Sequence, residues 1–118
     1  MKALPVKDIY ISEYELDEDI KCLFIRFPMP VWQRALHDEI DGTVSDCIYM
    51  YDELENGNLT YLEISNYKDA VKHDFCDIPF NFPVEYKGQE YMLKDFLIAA
   101  TAPIKAEMEK QQLEERTA

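Results

Sequence analysis

The sequence contains few of the residues that build phosphate-binding loops and metal centres. Its 118 residues include three glycines, three cysteines and two histidines. No GxGxxG, GKS, GKT or GxSxG motif occurs, so a glycine-rich loop that binds nucleotide phosphates is not expected. The cysteines are odd in number and lack CxxC spacing. We therefore predict three free thiols, packed as small core residues in a protein of the reducing cytoplasm.

Long apolar runs are also missing. The N-terminus has no apolar segment like that of a signal peptide, and the longest candidate span, Met92 to Pro103, is interrupted by Lys94 and Asp95. A membrane helix needs about 18 to 20 consecutive apolar residues. These absences predict a cytoplasmic protein that does not bind a membrane.

Basic residues are half as numerous as acidic ones. The chain has 12 Lys and Arg against 24 Asp and Glu, a net charge of −12. The imbalance is local, because no basic residue lies between Asp8 and Ile20 or between Arg34 and Lys68. Residues 8–67 contain 14 acidic and three basic residues, a charge of −11. Such a surface repels nucleic-acid phosphates and anionic lipids and attracts basic proteins.

The first third of the chain predicts two strands and a helix. Asp8–Tyr14 alternates with period two, as in an edge strand, whereas the nearly continuous apolar run Ile20–Phe27 is typical of a central strand. Apolar residues over Val31–Asp41 recur at helical spacing, and Gly42 follows. This pattern predicts a short amphipathic helix that ends at the glycine.

The remaining chain predicts two hairpins and a long helix. Two alternating runs, Cys47–Leu54 and Leu59–Ile64, flank an Asn-Gly turn within residues 55–58. Residues 66–75 are expected to form one or two helical turns, residues 84–92 a second hairpin, and the chain from Leu93 a helix with a kink or restart at Pro103. Phe75, Phe80 and Phe82 are expected to form an aromatic loop that covers the core or docks a partner.

These elements predict an α+β fold for a single domain, residues 1–118. It would contain an antiparallel sheet of four to five strands with two to three helices packed on one face. The polar tail from about Glu109 is expected to fray. One domain is the natural count for 118 residues, and 47% hydrophobic residues are sufficient for a core.

Candidate catalytic and metal-binding groups are weak. His37 and Asp41 would share a helical face, but a zinc site needs three or four convergent ligands. His73 and Cys76 have the spacing of a base and a thiol, yet no third group is evident. The acidic clusters at residues 17–19 and 52–55 lack the ligand spacing of an EF-hand. We expect no metal, no cofactor and no catalytic residue, and hence a protein that is not an enzyme.

Alternation in the first hairpin predicts two different faces. The apolar face, suited to a core, would contain Ile48, Met50, Leu62 and Ile64. The other face would contain Tyr49, Tyr51, Glu53, Tyr61 and Glu63. Tyrosines next to carboxylates are common in recognition surfaces. Alternatively, the tyrosines pack beneath a helix and the acids form only a solvated rim, because tyrosine is favoured in strands in any case.

The leading functional hypothesis is an inhibitor that covers a basic surface of another protein. In size, acidity and α+β character, although not in any motif, the chain is similar to bacterial immunity proteins and antitoxins that block cationic nuclease toxins. Carboxylates would accelerate association, and buried tyrosines would slow dissociation. The candidate binding residues are Asp38, Glu39, Asp41, Tyr49, Tyr51, Asp52, Glu53, Tyr61 and Glu63.

An alternative hypothesis has the same electrostatics but a different target. Rows of carboxylates can imitate nucleic acid and occupy a DNA- or RNA-binding protein of a restriction or phage-defence system. Acids along an extended ridge would favour this mimicry, and a compact patch centred on tyrosines would favour the immunity hypothesis. A third class is an accessory subunit whose acidity serves only solubility.

Overall fold

The computed structural model describes residues 3–14, 17–28, 36–54 and 59–117, which contain eight strands and two helices. The strands are β1 (Leu4–Pro5), β2 (Asp8–Tyr14), β3 (Asp17–Arg26), β4 (Leu36–Asp41), β5 (Ile48–Glu53), β6 (Leu59–Ser65), β7 (Pro83–Tyr86) and β8 (Gln89–Met92). The helices are α1 (Tyr67–Lys72) and α2 (Leu93–Thr117). The predicted mixed α+β class is confirmed.

Five strands form an antiparallel sheet in the order β2-β3-β6-β5-β4. Among the described strands, β2 lies at one end of this sheet and β3 in its interior, as predicted. The other three strands form a second sheet, β1-β7-β8, in which β1 runs parallel to β7. The predicted second hairpin is β7-β8; Lys87 (φ 50°) and Gly88 (φ 80°) form its two-residue turn. The second sheet itself was not predicted, because β1 is only two residues long.

The predicted helix over residues 31–41 is wrong from Leu36 onward. Residues 36–41 form β4, which pairs with β5 from Leu36 opposite Glu53 to Asp41 opposite Ile48. Residues four apart share a helical face, but they also share a strand face, so the spacing of Leu36 and Ile40 fits both. Pairing with β5 decides between them. Residues 31–35 of the predicted helix, and the predicted turn at residues 55–58, lie outside the described residues.

The faces predicted for the first hairpin are wrong for β5. Tyr49 lies opposite Ile64 and Tyr51 opposite Leu62, so the tyrosines share the core face with these two apolar residues. Tyr49, Leu62 and Ile64 are completely buried, whereas Ile48 is 36% exposed. Side chains alternate along each strand as predicted. The register, however, puts Tyr49 and Tyr51 of β5, and not Ile48 and Met50, on the same face as Leu62 and Ile64 of β6. A one-residue difference in register moves every side chain of a strand to the other face.

The core lies between one face of the five-stranded sheet and the helices. Tyr67, Ala70 and Val71 of α1 are buried there, as are Leu93, Phe96 and Leu97 of α2. The prediction that helices pack on one face of a single sheet is only partly correct, since α1 contacts β3 while α2 contacts α1 and the second sheet. The helical turns predicted at residues 66–75 are confirmed as α1. Helix α2 includes Pro103 and continues past Glu109 to Thr117.

The aromatic loop had two predicted roles, covering the core or docking a partner. In the structure it covers the core. Phe75 is completely buried. The Phe80 ring packs edge-on against Tyr51 at 5.2 Å between centroids, and the Phe82 ring lies 6.2 Å from Phe27. This loop therefore closes the core over the side chains of β3 and β5.

The cysteines are free thiols, as predicted, but they are not all in the core. Cys22 and Cys47 are buried, whereas Cys76 is exposed and corrects the prediction for that residue. Within the described ranges, no helix combines the length and the apolar character that crossing a membrane requires.

Two isoleucine substitutions test the register of the hairpin. Ile64→Ala should lower the free energy of unfolding by about 2–4 kcal/mol, because it leaves a cavity beside Tyr49. Ile48→Ala should lower it by about 1 kcal/mol or less, because that side chain is partly exposed. Urea unfolding followed by circular dichroism measures both values. Equal losses would contradict the register, since the alternative pairing places both isoleucines on one face.

Candidate partner-binding surface

The candidate surface is centred on β4, the last strand of the five-stranded sheet in the described part of the chain. Residues 37–41 of this strand are all exposed, and three of them are the predicted binding residues Asp38, Glu39 and Asp41. Alternation places Glu39 and Asp41 on the sheet face away from the core, and Asp38 on the core side of the rim beside Tyr51. The strand thus forms an acidic edge, which we define as residues 37–41.

His37 connects the acidic edge to β5. Its Nδ1 lies 2.7 Å from Asp52 Oδ1, and its Nε2 lies 3.5 Å from Glu39 Oε1. The hydrogen bond to Asp52 raises the pKa of His37 above its ordinary value, and the contact with Glu39 acts in the same direction, against a smaller effect of burial. Protonation of His37 would therefore offset part of the negative charge of this surface.

Three further predicted residues lie on the same face as His37, but not all are available to a partner. Asp52 lies opposite Tyr61, and Glu63 lies opposite Met50. The Tyr61 hydroxyl donates a hydrogen bond of 3.1 Å to Glu63 Oε2, and Glu63 is only 6% exposed. Glu63 is therefore part of a packed sheet face, and its predicted position on an open binding face is wrong.

The two tyrosines of β5 do not form an open surface. Tyr49 is completely buried, and Tyr51 is half-buried against Phe80, which excludes the predicted compact patch centred on these two rings. Burial raises the pKa of Tyr51, and the charges of Asp38 and Glu53 raise it further. Tyr51 and Glu53, both partly buried, therefore lie at the boundary between the acidic edge and the core.

An aromatic row on the outer face of the same sheet was not identified from the sequence. The rings of Tyr10, Phe24 and Tyr61 stack in series, with centroid distances of 5.2 Å and 6.1 Å. Arg26 lies 5.3 Å from the Tyr10 ring centroid and pairs with Asp8. Tyr10 is 41% exposed. Alternation predicts on which face of its own strand each ring lies. Only the pairing of β2 with β3 places Tyr10 opposite Phe24.

The loop between β4 and β5 is held by the partly buried carboxylate of Asp77. Asp77 Oδ2 accepts hydrogen bonds from the backbone N–H of Val44 (3.0 Å) and Ser45 (2.9 Å) and from the Ser45 hydroxyl (2.8 Å), and Oδ1 accepts the Tyr49 hydroxyl (2.7 Å). A Cβ at Gly42 would lie 2.6 Å from the Ser45 carbonyl oxygen and 2.7 Å from Asp77 Oδ2. Glycine at this position therefore allows the loop to close around Asp77, instead of ending a helix as predicted.

The same contacts set the ionisation of the groups. Burial alone would raise the pKa of Asp77, but its hydrogen bonds from Ser45, Tyr49 and Val44 outweigh burial and hold it well below its ordinary value. Burial and the hydrogen bond to Asp77 raise the pKa of Tyr49 far above its ordinary value. Burial also raises the pKa of Cys47, whose Sγ lies 2.8 Å from Ser45 Oγ. The cluster thus consists of one anion, Asp77, and three neutral side chains, Ser45, Cys47 and Tyr49.

Comparison with protein-family models, with curated proteins and with solved structures finds no match for this chain. Groups of three or more His, Cys, Asp or Glu side chains arranged to hold a metal ion are not found within residues 3–14, 17–28, 36–54 and 59–117.

Substitution of Asp77 tests the loop anchor. Asp77→Asn should lower the free energy of unfolding by about 2–3 kcal/mol, because a neutral amide accepts fewer and weaker hydrogen bonds. Asp74→Asn is the matched control: Asp74 is exposed, its carboxylate pairs with Lys105, and the substitution should lower the free energy of unfolding by about 1 kcal/mol or less. Because the pKa of Asp77 is depressed on folding, its contribution is present at neutral pH and is lost as the pH falls below about 4. A flatter acid dependence is expected for Asp77→Asn, and an unchanged one would contradict the anchor.

Titration of His37 tests the link between β4 and β5. The imidazole should titrate above the ordinary value of about 6.5, and Asp52→Asn should lower that pKa by removing the hydrogen-bonded anion. Proton NMR of the two histidines measures both values, and His73 serves as the internal reference. A His37 pKa that does not respond to Asp52→Asn would contradict the contact.

Proposed function

We propose that this chain is a non-enzymatic inhibitor that binds a basic surface of another protein in the cytoplasm, in the manner of an immunity protein or antitoxin that blocks a cationic toxin. The observation that carries the proposal is the acidic edge. Its three carboxylates lie on five consecutive exposed positions, within a stretch from residue 35 to residue 67 that contains no Lys or Arg.

Charge of one sign on an exposed edge supports binding of a basic partner in two ways. It raises the rate at which a cationic protein encounters the surface, and it repels competitors of the same sign. The Lys and Arg residues on the described strands of this sheet, Lys21 and Arg26, both lie on β3, with β6 and β5 between them and β4, and Arg26 pairs with Asp8. Within the described strands, the negative charge of β4 is therefore offset in part by His37 when it is protonated, and not by a neighbouring Lys or Arg.

The proposed contact residues are fewer than the sequence predicted. Asp38, Glu39, Asp41 and Asp52 remain, and His37 joins them through its contact with Asp52. Buried Tyr49 and Glu63 are not proposed as contacts. The affinity would then come from the acidic edge and its backbone instead of from buried tyrosine anchors.

Charge reversal tests the proposed surface. The triple substitution Asp38→Lys, Glu39→Lys and Asp41→Lys should slow association with the basic partner by about 10- to 100-fold at low salt, because electrostatic steering is reversed. The partner is sought by affinity capture with this protein as the bait, and the product of the adjacent gene is the first candidate. Stopped-flow association at several salt concentrations measures the effect.

The control variant carries the same change in charge on the other half of the molecule. Glu85, Glu90 and Glu107 are exposed, lie outside the acidic edge and are replaced by lysine together. Both triple variants should unfold at nearly the wild-type temperature. Equal association rates for the two variants would show that total charge, and not the acidic edge, governs binding, and would overturn the site.

Mimicry of nucleic acid is the second candidate, and one observation favours it. The exposed carboxylates follow a strand instead of surrounding the tyrosines, so Glu39 and Asp41 form part of a linear row about 6.7 Å apart. A mimic should compete with DNA for several unrelated DNA-binding proteins, whereas an inhibitor of one toxin should bind only that protein. Competition binding with labelled duplex DNA separates the two candidates.

A further inference from the structure

The backbone of β4 is oriented so that a second strand can join it. The Gly42 N–H donates a hydrogen bond of 2.9 Å to the Cys47 carbonyl, which fixes the phase of hydrogen bonding between β4 and β5. Bonded and non-bonded pairs alternate in antiparallel strands. Counting back from Gly42, Ile40 and Asp38 therefore direct their N–H and C=O groups towards β5.

The other three residues of the acidic edge direct these groups outward. The backbone N–H and C=O of His37, Glu39 and Asp41 point to the side of β4 on which no further strand is found in the described part of the chain. The Ile48 N–H supports this phase, because it bonds Ser65 Oγ at 3.0 Å on the side of β5 away from β4. Three donors and three acceptors are thus presented in a row, as at any open sheet edge.

His37, Glu39 and Asp41 present both their side chains and their outward backbone groups to a strand that joins β4. Alternation puts the side chains of His37, Glu39 and Asp41 on the outer face, and these are the residues whose backbone groups point outward. A strand added to β4 would place every second side chain opposite them. Lysine or arginine at those positions would pair with the carboxylates, whereas a second copy of the chain would oppose acid with acid.

We propose that β4 is a strand-addition site for an extended basic segment of the partner protein, with Lys or Arg at alternate positions. This inference rests on the proposed inhibitory function and specifies how the partner is held. Main-chain hydrogen bonds would supply affinity, and the alternating charges would select the segment and its register. His37 contacts both Asp52 and Glu39, so the added strand would meet the carboxylate of Glu39 beside this imidazole and the carboxylate of Asp41 two residues further along the strand.

Amide hydrogen exchange tests strand addition directly. The probe is a heptapeptide of alternating lysine and threonine, and the control is a peptide of the same composition with its lysines in two blocks. In the free protein, the amides of Asp38 and Ile40 should be protected and those of His37, Glu39 and Asp41 should exchange fast. The alternating peptide should slow exchange at the latter three at least about five-fold at saturation and should bind more tightly than the block peptide.

Backbone methylation of the probe removes the contribution of charge. In an antiparallel added strand, the lysines opposite the outward-facing residues use their N–H groups for bonding to β4, and the threonines do not. N-methylation of the lysines should weaken binding at least tenfold, whereas N-methylation of the threonines should leave it nearly unchanged. Equal affinities of the two methylated peptides, or binding without slowed exchange, would overturn strand addition.

A pair of variants makes the same distinction on the protein side. Glu39→Pro removes the outward N–H together with the charge, whereas Glu39→Gln removes only the charge. Proline is tolerated on edge strands where its nitrogen is not used for pairing. Binding of the alternating peptide should be weakened at least fivefold more by the proline variant. Equal weakening would overturn strand addition while leaving the inhibitory function intact, because the charge-reversal experiment on the partner tests that function separately.

Discussion

The register between β5 and β6 is the constraint on which the rest of the structure depends. With Tyr49 opposite Ile64, the tyrosine ring enters the core and its hydroxyl reaches Asp77, which in turn accepts hydrogen bonds from the β4–β5 loop. The loop fixes where β4 begins to pair with β5. A shift of one residue would expose Tyr49, bury Ile48 and deprive the carboxylate of Asp77 of the hydrogen bond from the Tyr49 hydroxyl. One pairing therefore positions the core, the loop and the acidic edge together.

Asp77 stabilises the conformation of the β4–β5 loop, which apolar packing alone would not fix. The loop 42–47 contains small and polar residues and has little apolar surface to bury. Hydrogen bonds from two backbone amides and two hydroxyls compensate the cost of partly burying the carboxylate. The loop is thereby tied to the segment that follows α1, and β4 is held at the end of the sheet, where its acidic side chains stay exposed.

The acidity of β4 also has a consequence for solubility. An open sheet edge is a template for self-association, and charged residues are a common protection against it. Acid opposite acid would disfavour pairing between copies of this chain, whereas the proposed basic segment would pair with the same carboxylates, so protection and selective recognition are compatible. The aromatic row of Tyr10, Phe24 and Tyr61 lies on the same outer face as Glu39 and Asp41, but on β2, β3 and β6, where Arg26 pairs with Asp8. The outer face of the sheet is thus aromatic over these strands and acidic at β4.

The sequence by itself determined the acidity of residues 8–67, the strands β2 and β3, both hairpins and the α+β class, because period-two alternation, turn residues and charge are local properties. Local pattern could not distinguish a helix from a strand at residues 36–41, since Leu36 and Ile40 share a face in either. It could not set the register of β5, which depends on pairing with β6 and on the irregularity between Asp52 and Glu53. Only the tertiary structure decided that Tyr49 is buried, that Glu63 is packed and that Asp38, Glu39 and Asp41 lie exposed on the last strand of the sheet in the described part of the chain, because each depends on which residues lie opposite across the sheet.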